Sequence, residues 1–178
     1  MARWFEFEAA APGLAAVARE RFEASGVVML GTLRRDGSPR ISPVEFAFFD
    51  GDFWIGMMWQ SRKARDLLRD PRFAVHSSVV SKAGDTGDVK LYGAAVDEPD
   101  PARRAAFTDH VFATSGFRPE EPYHAFVLDV REASYVRFGD DAAAVMAGRL
   151  AGGTTRVREV QTRDGSFLLG SWKREAES

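Results

Sequence analysis

Apolar residues at Leu14, Val17, Ala18 and Phe22 follow Pro12 at helical spacing and stop at Gly26, which predicts one amphipathic helix near the N-terminus. The texture then changes to short apolar runs broken by turn dipeptides. Residues 27–33, 40–49 and 53–58 have the character of strands, and Asp36-Gly37 and Asp50-Gly51 join them into an antiparallel meander. Helical spacing returns over 61–70, with Ala64, Leu67 and Leu68 on one face and Pro71 as the stop signal. Strands are expected again at 73–78, 89–96, 123–130 and 134–138. Between 79 and 88 the chain is rich in Ser, Gly, Asp and Thr and has little to bury, so it is read as a surface loop, with a flap as the alternative. Asp100-Pro101 opens another helix, running to about Thr114 with Phe107, His110 and Val111 as its apolar side. Further on, 156–161 and 166–172 suggest a hairpin around Arg163-Asp164-Gly165. Hairpin-linked strands interrupted by a few helices predict a mainly β, α+β fold: an antiparallel β-barrel with short flanking helices.

The length of 178 residues fits one domain. It divides into a helical segment over 1–26, the barrel over 27–138 and a C-terminal extension over 139–178. With 24 Lys and Arg against 26 Asp and Glu, no global basic field argues for a nucleic-acid partner. The chain has no cysteine, which excludes disulfides, thiolate metal sites and a Cys nucleophile and fits a reducing, cytoplasmic setting. Residues 1–11 lack the basic start and apolar stretch of a secretory signal, and no apolar run approaches membrane-spanning length.

Candidate chemistry concentrates at Gln60-Ser61-Arg62-Lys63-Ala64. Ser61 is an expected N-cap, yet the first turn behind it carries two cations at the positive end of the helix dipole. Two readings follow from spacing alone. One is a solvated helix start. The other is an anion site, where free amides, the dipole, a guanidinium and an ammonium converge on one phosphate. Just upstream, Trp54, Met57, Met58 and Trp59 are either barrel core or a surface for a planar ring. His76, His110 and His124 are isolated along the chain, so no metal site is expected, no acid–base constellation stands out and the catalytic residues are left unassigned.

The run from Ser61 to Val75, preceded by Gly37-Ser38-Pro39-Arg40-Ile41-Ser42-Pro43-Val44, resembles the pyridoxamine 5′-phosphate oxidase-like split β-barrel family. The resemblance covers about residues 27–96 and extends to 138. It implies an FMN-binding oxidoreductase, a homodimer with the flavin at the subunit interface and a small-molecule redox substrate, with neither nucleic acid nor membrane as partner. Arg62 and Lys63 then hold the flavin phosphate and Arg40 is a further phosphate contact. Ile41, Ser42 and Pro43 supply backbone at the ring. Gly56 and Met57 stand where the oxidase has a Tyr-Thr pair, Glu45 where it has a Lys, and Asp88 where it has a flavin-contacting Gln. Met58, Trp59 and Ser61 complete the expected site. The chain also lacks the Arg-Leu ending that holds the substrate phosphate in authentic pyridoxamine phosphate oxidases, so vitamin B6 oxidation is not expected. Two alternatives remain: a reductase using the deazaflavin F420, with Arg65, Arg69 and Arg72 along its longer anionic tail, and a non-catalytic flavin- or haem-binding module, with His76 or His124 as axial ligand. Arg156 and Arg158 are candidates for the substrate end.

Overall fold

A computed structural model describes residues 3–79, 86–138, 155–163, 166–169 and 173–174. Helices α1 (Trp4–Ala10) and α2 (Pro12–Ser25) precede strands β1 (Val27–Leu33), β2 (Pro39–Phe49) and β3 (Asp52–Met58). Helix α3 (Arg62–Arg69) leads to β4 (Arg72–His76) and β5 (Asp88–Asp97), and α4 (Pro101–Ser115) to β6 (Tyr123–Phe138). Three strands follow: β7 (Thr155–Arg163), β8 (Ser166–Leu169) and β9 (Lys173–Arg174). The strand order β3-β2-β1-β4-β5-β6, with β6 returning to pair with β3, closes a six-stranded antiparallel barrel. The expected fold class is therefore observed.

Alternation builds the interior. Val28 and Leu30, Phe53 and Ile55, Phe73 and Val75, Val89 and Leu91, and Phe126 and Leu128 point inward from five strands. At the β2–β3 hairpin, Asp50 and Gly51 both take positive φ, the geometry that a two-residue turn between twisted strands demands. Helix α4, capped by the Asp100 carboxylate accepting from the Ala102 amide at 2.8 Å, covers the outside of β3 and β6, where Phe107 stacks on Trp54 at 4.8 Å.

The structure departs from the expected elements in three places. The residues before Pro12 form a helix of their own, α1, whose Trp4 and Phe7 enter the barrel core. On α3 it is Asp66, not Leu68, that joins Ala64 and Leu67 on the buried side, while Leu68 is exposed. The two strands expected at 123–130 and 134–138 are one strand, β6, carrying a register shift against β5 between Tyr92 and Gly93. One extra β6 residue, Arg131, accommodates the shift. Of the expected loop over 79–88, residues 80–85 lie outside the described residues, as do 139–154 of the C-terminal extension and Trp172 of its hairpin.

The shift brings the Asp129 carbonyl oxygen to 1.8 Å from where a β-carbon on Gly93 would sit. Gly93→Ala should therefore force the β5–β6 backbones apart and destabilise the fold by about 3 kcal/mol, at the upper end of overpacking costs. Gly31→Ala, whose new methyl meets Ala74 at an ordinary 3.4 Å, should be tolerated. Chemical denaturation of both variants checks the contrast.

Candidate functional site

Helix α3 begins as its sequence predicts. The Ser61 hydroxyl oxygen accepts from the Ala64 amide at 3.4 Å, leaving the amides of Arg62 and Lys63 without an intrahelical acceptor. Arg62 is exposed and makes no ion pair or hydrogen bond through its side chain among the described residues. Lys63 is half-buried, and its ammonium donates only a long bond of 3.5 Å to the Pro43 carbonyl. Burial pushes the Lys63 pKa down, as expected for a cation removed from water without a counter-ion.

One turn further along α3, the buried Asp66 carboxylate gathers three donors. Arg40 Nε lies at 2.7 Å, the Thr32 hydroxyl at 3.1 Å and an Arg69 terminal nitrogen at 3.2 Å. Arg69 also donates to the Leu33 carbonyl. Burial raises the Asp66 pKa, but the hydrogen bonds from Arg40, Arg69 and Thr32 outweigh it and hold the carboxyl below its ordinary value. Strand β2 is thus fastened to α3 at two points, Arg40 to Asp66 and Pro43 to Lys63. Four cations, Arg40, Arg62, Lys63 and Arg69, accompany this single buried carboxylate, so the local charge is positive despite the chain's net charge of -2.

The other candidate residues do not all share one face. Strand alternation puts Arg40 and Ser42 on the α3 side of β2 and sends Ile41, Pro43 and Glu45 to the outside, where Ile41 is 70% exposed. On β3, Gly56 and Met58 are exposed, but Met57 is packed in the main core. The core reading therefore holds for Trp54 and Met57, and Met58 and Trp59 are the members of that group that reach the surface. Trp59 lies flat over the buried His124 at 4.5 Å, and neither His124 nitrogen finds a hydrogen-bond partner among the described residues. Asp88 is engaged by His76 Nε2 at 2.8 Å and by Lys90 at 3.3 Å, while His76 Nδ1 meets the Ser77 carbonyl. Arg156 and Arg158 pair in register with Arg137 and Tyr135 on β6.

The outer face of β2, β1, β4 and β5 is a shallow trough. Register aligns Ile41, Gly31, Ala74 and Tyr92 in one row across these strands, so two small residues form the floor between two larger flanks. Pro43, Met29, His76 and Lys90 form the next row. Sequence reading missed Asp66, Thr32 and Arg69 as a cluster. No local signal marks them, because helical spacing puts Asp66 away from the Ala64, Leu67 and Leu68 face, and its burial depends on Thr32 and Arg40 from two strands.

No helix among the described residues is long and apolar enough to cross a membrane. No curated protein matches the sequence. Among solved structures, the chain resembles a Clostridium acetobutylicum protein related to general stress protein 26 of B. subtilis, of the pyridoxinephosphate oxidase family. That likeness has 23% identity and a TM-score of 0.54, covering 67% of this chain and 84% of the other. PhzG from Burkholderia lata 383, solved in complex with tetrahydrophenazine-1-carboxylic acid, gives 13% identity and a TM-score of 0.60 over 88% of this chain and 90% of its own. A heme binding protein from Mycobacterium smegmatis gives 19% and 0.53, with 86% of each chain covered. At these identities the structures share the fold. The family model for pyridoxamine 5′-phosphate oxidase matches residues 14–137, from within α2 to the penultimate residue of β6, and the chain belongs to the pyridoxamine 5′-phosphate oxidase-like family.

Proposed function

We propose that this protein is an FMN-binding oxidoreductase that works as a homodimer on a small-molecule redox substrate, with the flavin in the groove between subunits. The observation that carries the reading is the start of α3. There an exposed Arg62 without a side-chain partner among the described residues, a desolvated Lys63 and two amides with no intrahelical acceptor come together, an arrangement that a phosphate dianion would satisfy. The row Ile41, Gly31, Ala74 and Tyr92, with two small residues between two larger ones, would admit a planar ring covered by a second copy. Bound flavin would supply the electron-transfer chemistry, and the chain's own task would be to bind, orient and shield it. That division of labour suits a site whose nearest acid–base candidates, His76 and Asp88, already have their side chains engaged.

F420 remains a rival because Arg65, one turn beyond Arg62, is exposed without a side-chain partner among the described residues and would suit a longer anionic tail. A haem module has weaker support. His76 has both ring nitrogens occupied and His124 is shielded by Trp59, so neither offers a ready axial ligand.

Native mass spectrometry after incubation with equal FMN and F420 tests the reading. A dimer carrying two FMN is the expected result. A preference for F420 would replace the cofactor assignment, and binding of neither would overturn the anion-site reading.

A further inference from the structure

We infer that Asp66 is a positioning residue for the anion site: it holds the Arg40 guanidinium through Nε so that the terminal nitrogens are presented to a phosphate at the start of α3. This rests on the phosphate reading above and adds to it a residue that does not touch the ligand.

The geometry is specific to that role. A guanidinium is a rigid planar fork, so anchoring Nε on a buried carboxylate oxygen at 2.7 Å restricts where its terminal nitrogens can point. The Arg40 terminal nitrogens make no hydrogen bond or ion pair among the described residues. Asp66 is itself immobilised by the Thr32 hydroxyl and by Arg69, so Arg40 is tied to a fixed point. That point lies about 5 Å, one helical turn, below the free amides of Arg62 and Lys63. Asp66 also competes with its own proposed effect. A carboxylate so close to an anion site weakens anion binding through its field, whereas an Arg40 oriented by it strengthens binding through two charge-assisted bonds. The two effects have opposite signs, so the sign of the change on substitution shows which one prevails.

The test compares equilibrium binding of FMN with that of riboflavin, which has the same ring and no phosphate. Because both ligands meet the same folded fraction, the ratio of their affinities is insensitive to a purely structural loss. Asp66→Asn should reduce the preference for FMN about tenfold, the scale of one charge-assisted hydrogen bond. In an Arg40→Ala background it should cost nothing further, because the two residues act as one unit. An unchanged or increased preference for FMN, or a loss that adds fully to that of Arg40→Ala, overturns the inference. If Asp66→Asn does not fold, Asp66→Glu puts the same question, since it keeps the charge and displaces the acceptor by one methylene. It should also lose preference, and wild-type discrimination in it overturns the inference. Wild-type protein and Arg62→Ala/Lys63→Ala serve as the control. If wild-type protein shows no preference for FMN over riboflavin, the phosphate reading itself fails. If the control variant loses the preference while Asp66→Asn keeps it, the phosphate reading stands and only the positioning role of Asp66 fails.

Discussion

Replacing Arg62 and Lys63 together by alanine should weaken FMN binding at least a hundredfold and leave thermal stability near that of the wild type. Each charge-assisted hydrogen bond to a phosphate contributes about 1.5–3 kcal/mol, so losing two moves the dissociation constant by two to four orders of magnitude. The stability half of the expectation is independent of the ligand. Arg62 makes no side-chain hydrogen bond or ion pair among the described residues, and Lys63 gives up hydration for one long bond to Pro43. Both cations sit at the positive end of a helix dipole, and alanine is the better helix former. A pair of residues that the fold does not need, placed where electrostatics disfavours them, is the pattern expected of a binding site maintained at some cost to stability. A flavin fluorescence titration and a thermal melt of the same preparation check both halves. Unchanged affinity would eliminate the phosphate assignment, and a large drop in melting temperature would make the pair structural.

The barrel was legible because its strands are rich in apolar and β-branched residues and are separated by turn chemistry that leaves few choices. Asp50-Gly51 is the clearest case, with both residues in the left-handed region that the hairpin requires. Three features depended on contacts remote in sequence. Residues 4–10 have no strong helical period, and α1 is fixed instead by tertiary partners, with Arg3 donating to the buried Asp52 at 2.6 and 2.7 Å and Trp4 and Phe7 packed in the core. The exchange of Leu68 for Asp66 on the buried side of α3 depends on Arg40 and Thr32, which approach from two strands. The joining of two expected strands into β6 rests on a bulge at Arg131, and a one-residue bulge has no sequence signature of its own.

The candidate site was legible in part for the same reason. Ser61, Arg62 and Lys63 are local to one helix start, so their arrangement follows from the motif. The assignment of Ile41 and Pro43 to one face and Arg40 and Ser42 to the other is already implicit in strand alternation. What each face meets is settled only by the placement of α3 and the open trough. Met57 is the converse case: neighbouring in sequence to Met58, it is separated from it by the thickness of the sheet wall and belongs to the core.

Trp4→Ala should destabilise the protein by about 3–5 kcal/mol, the range for removing a large buried aromatic. The indole is almost wholly buried. It packs on Phe48 at 4.5 Å, Phe7 at 5.1 Å and Phe53 at 5.7 Å between ring centroids, with the Arg19 guanidinium 5.8 Å above it. Its removal opens a cavity where α1 meets the barrel, and Phe53 is itself stacked on both Phe22 and Phe48, so the gap cannot close without disturbing α2 and β2. One term acts against this. Among the described residues the buried Trp4 indole N–H has no acceptor, and deleting it removes a desolvation cost of about 1–3 kcal/mol, which pulls the net effect toward the lower end of the range. Trp4→Phe separates the two contributions, because it keeps most of the ring packing and discards the unpaired donor, and it should lie within about 1 kcal/mol of wild type. Urea denaturation of both variants gives the comparison. Equal losses would mean that the indole N–H has a partner in solution, and a loss below about 1 kcal/mol for alanine would mean that α1 contributes little to the closure of the barrel.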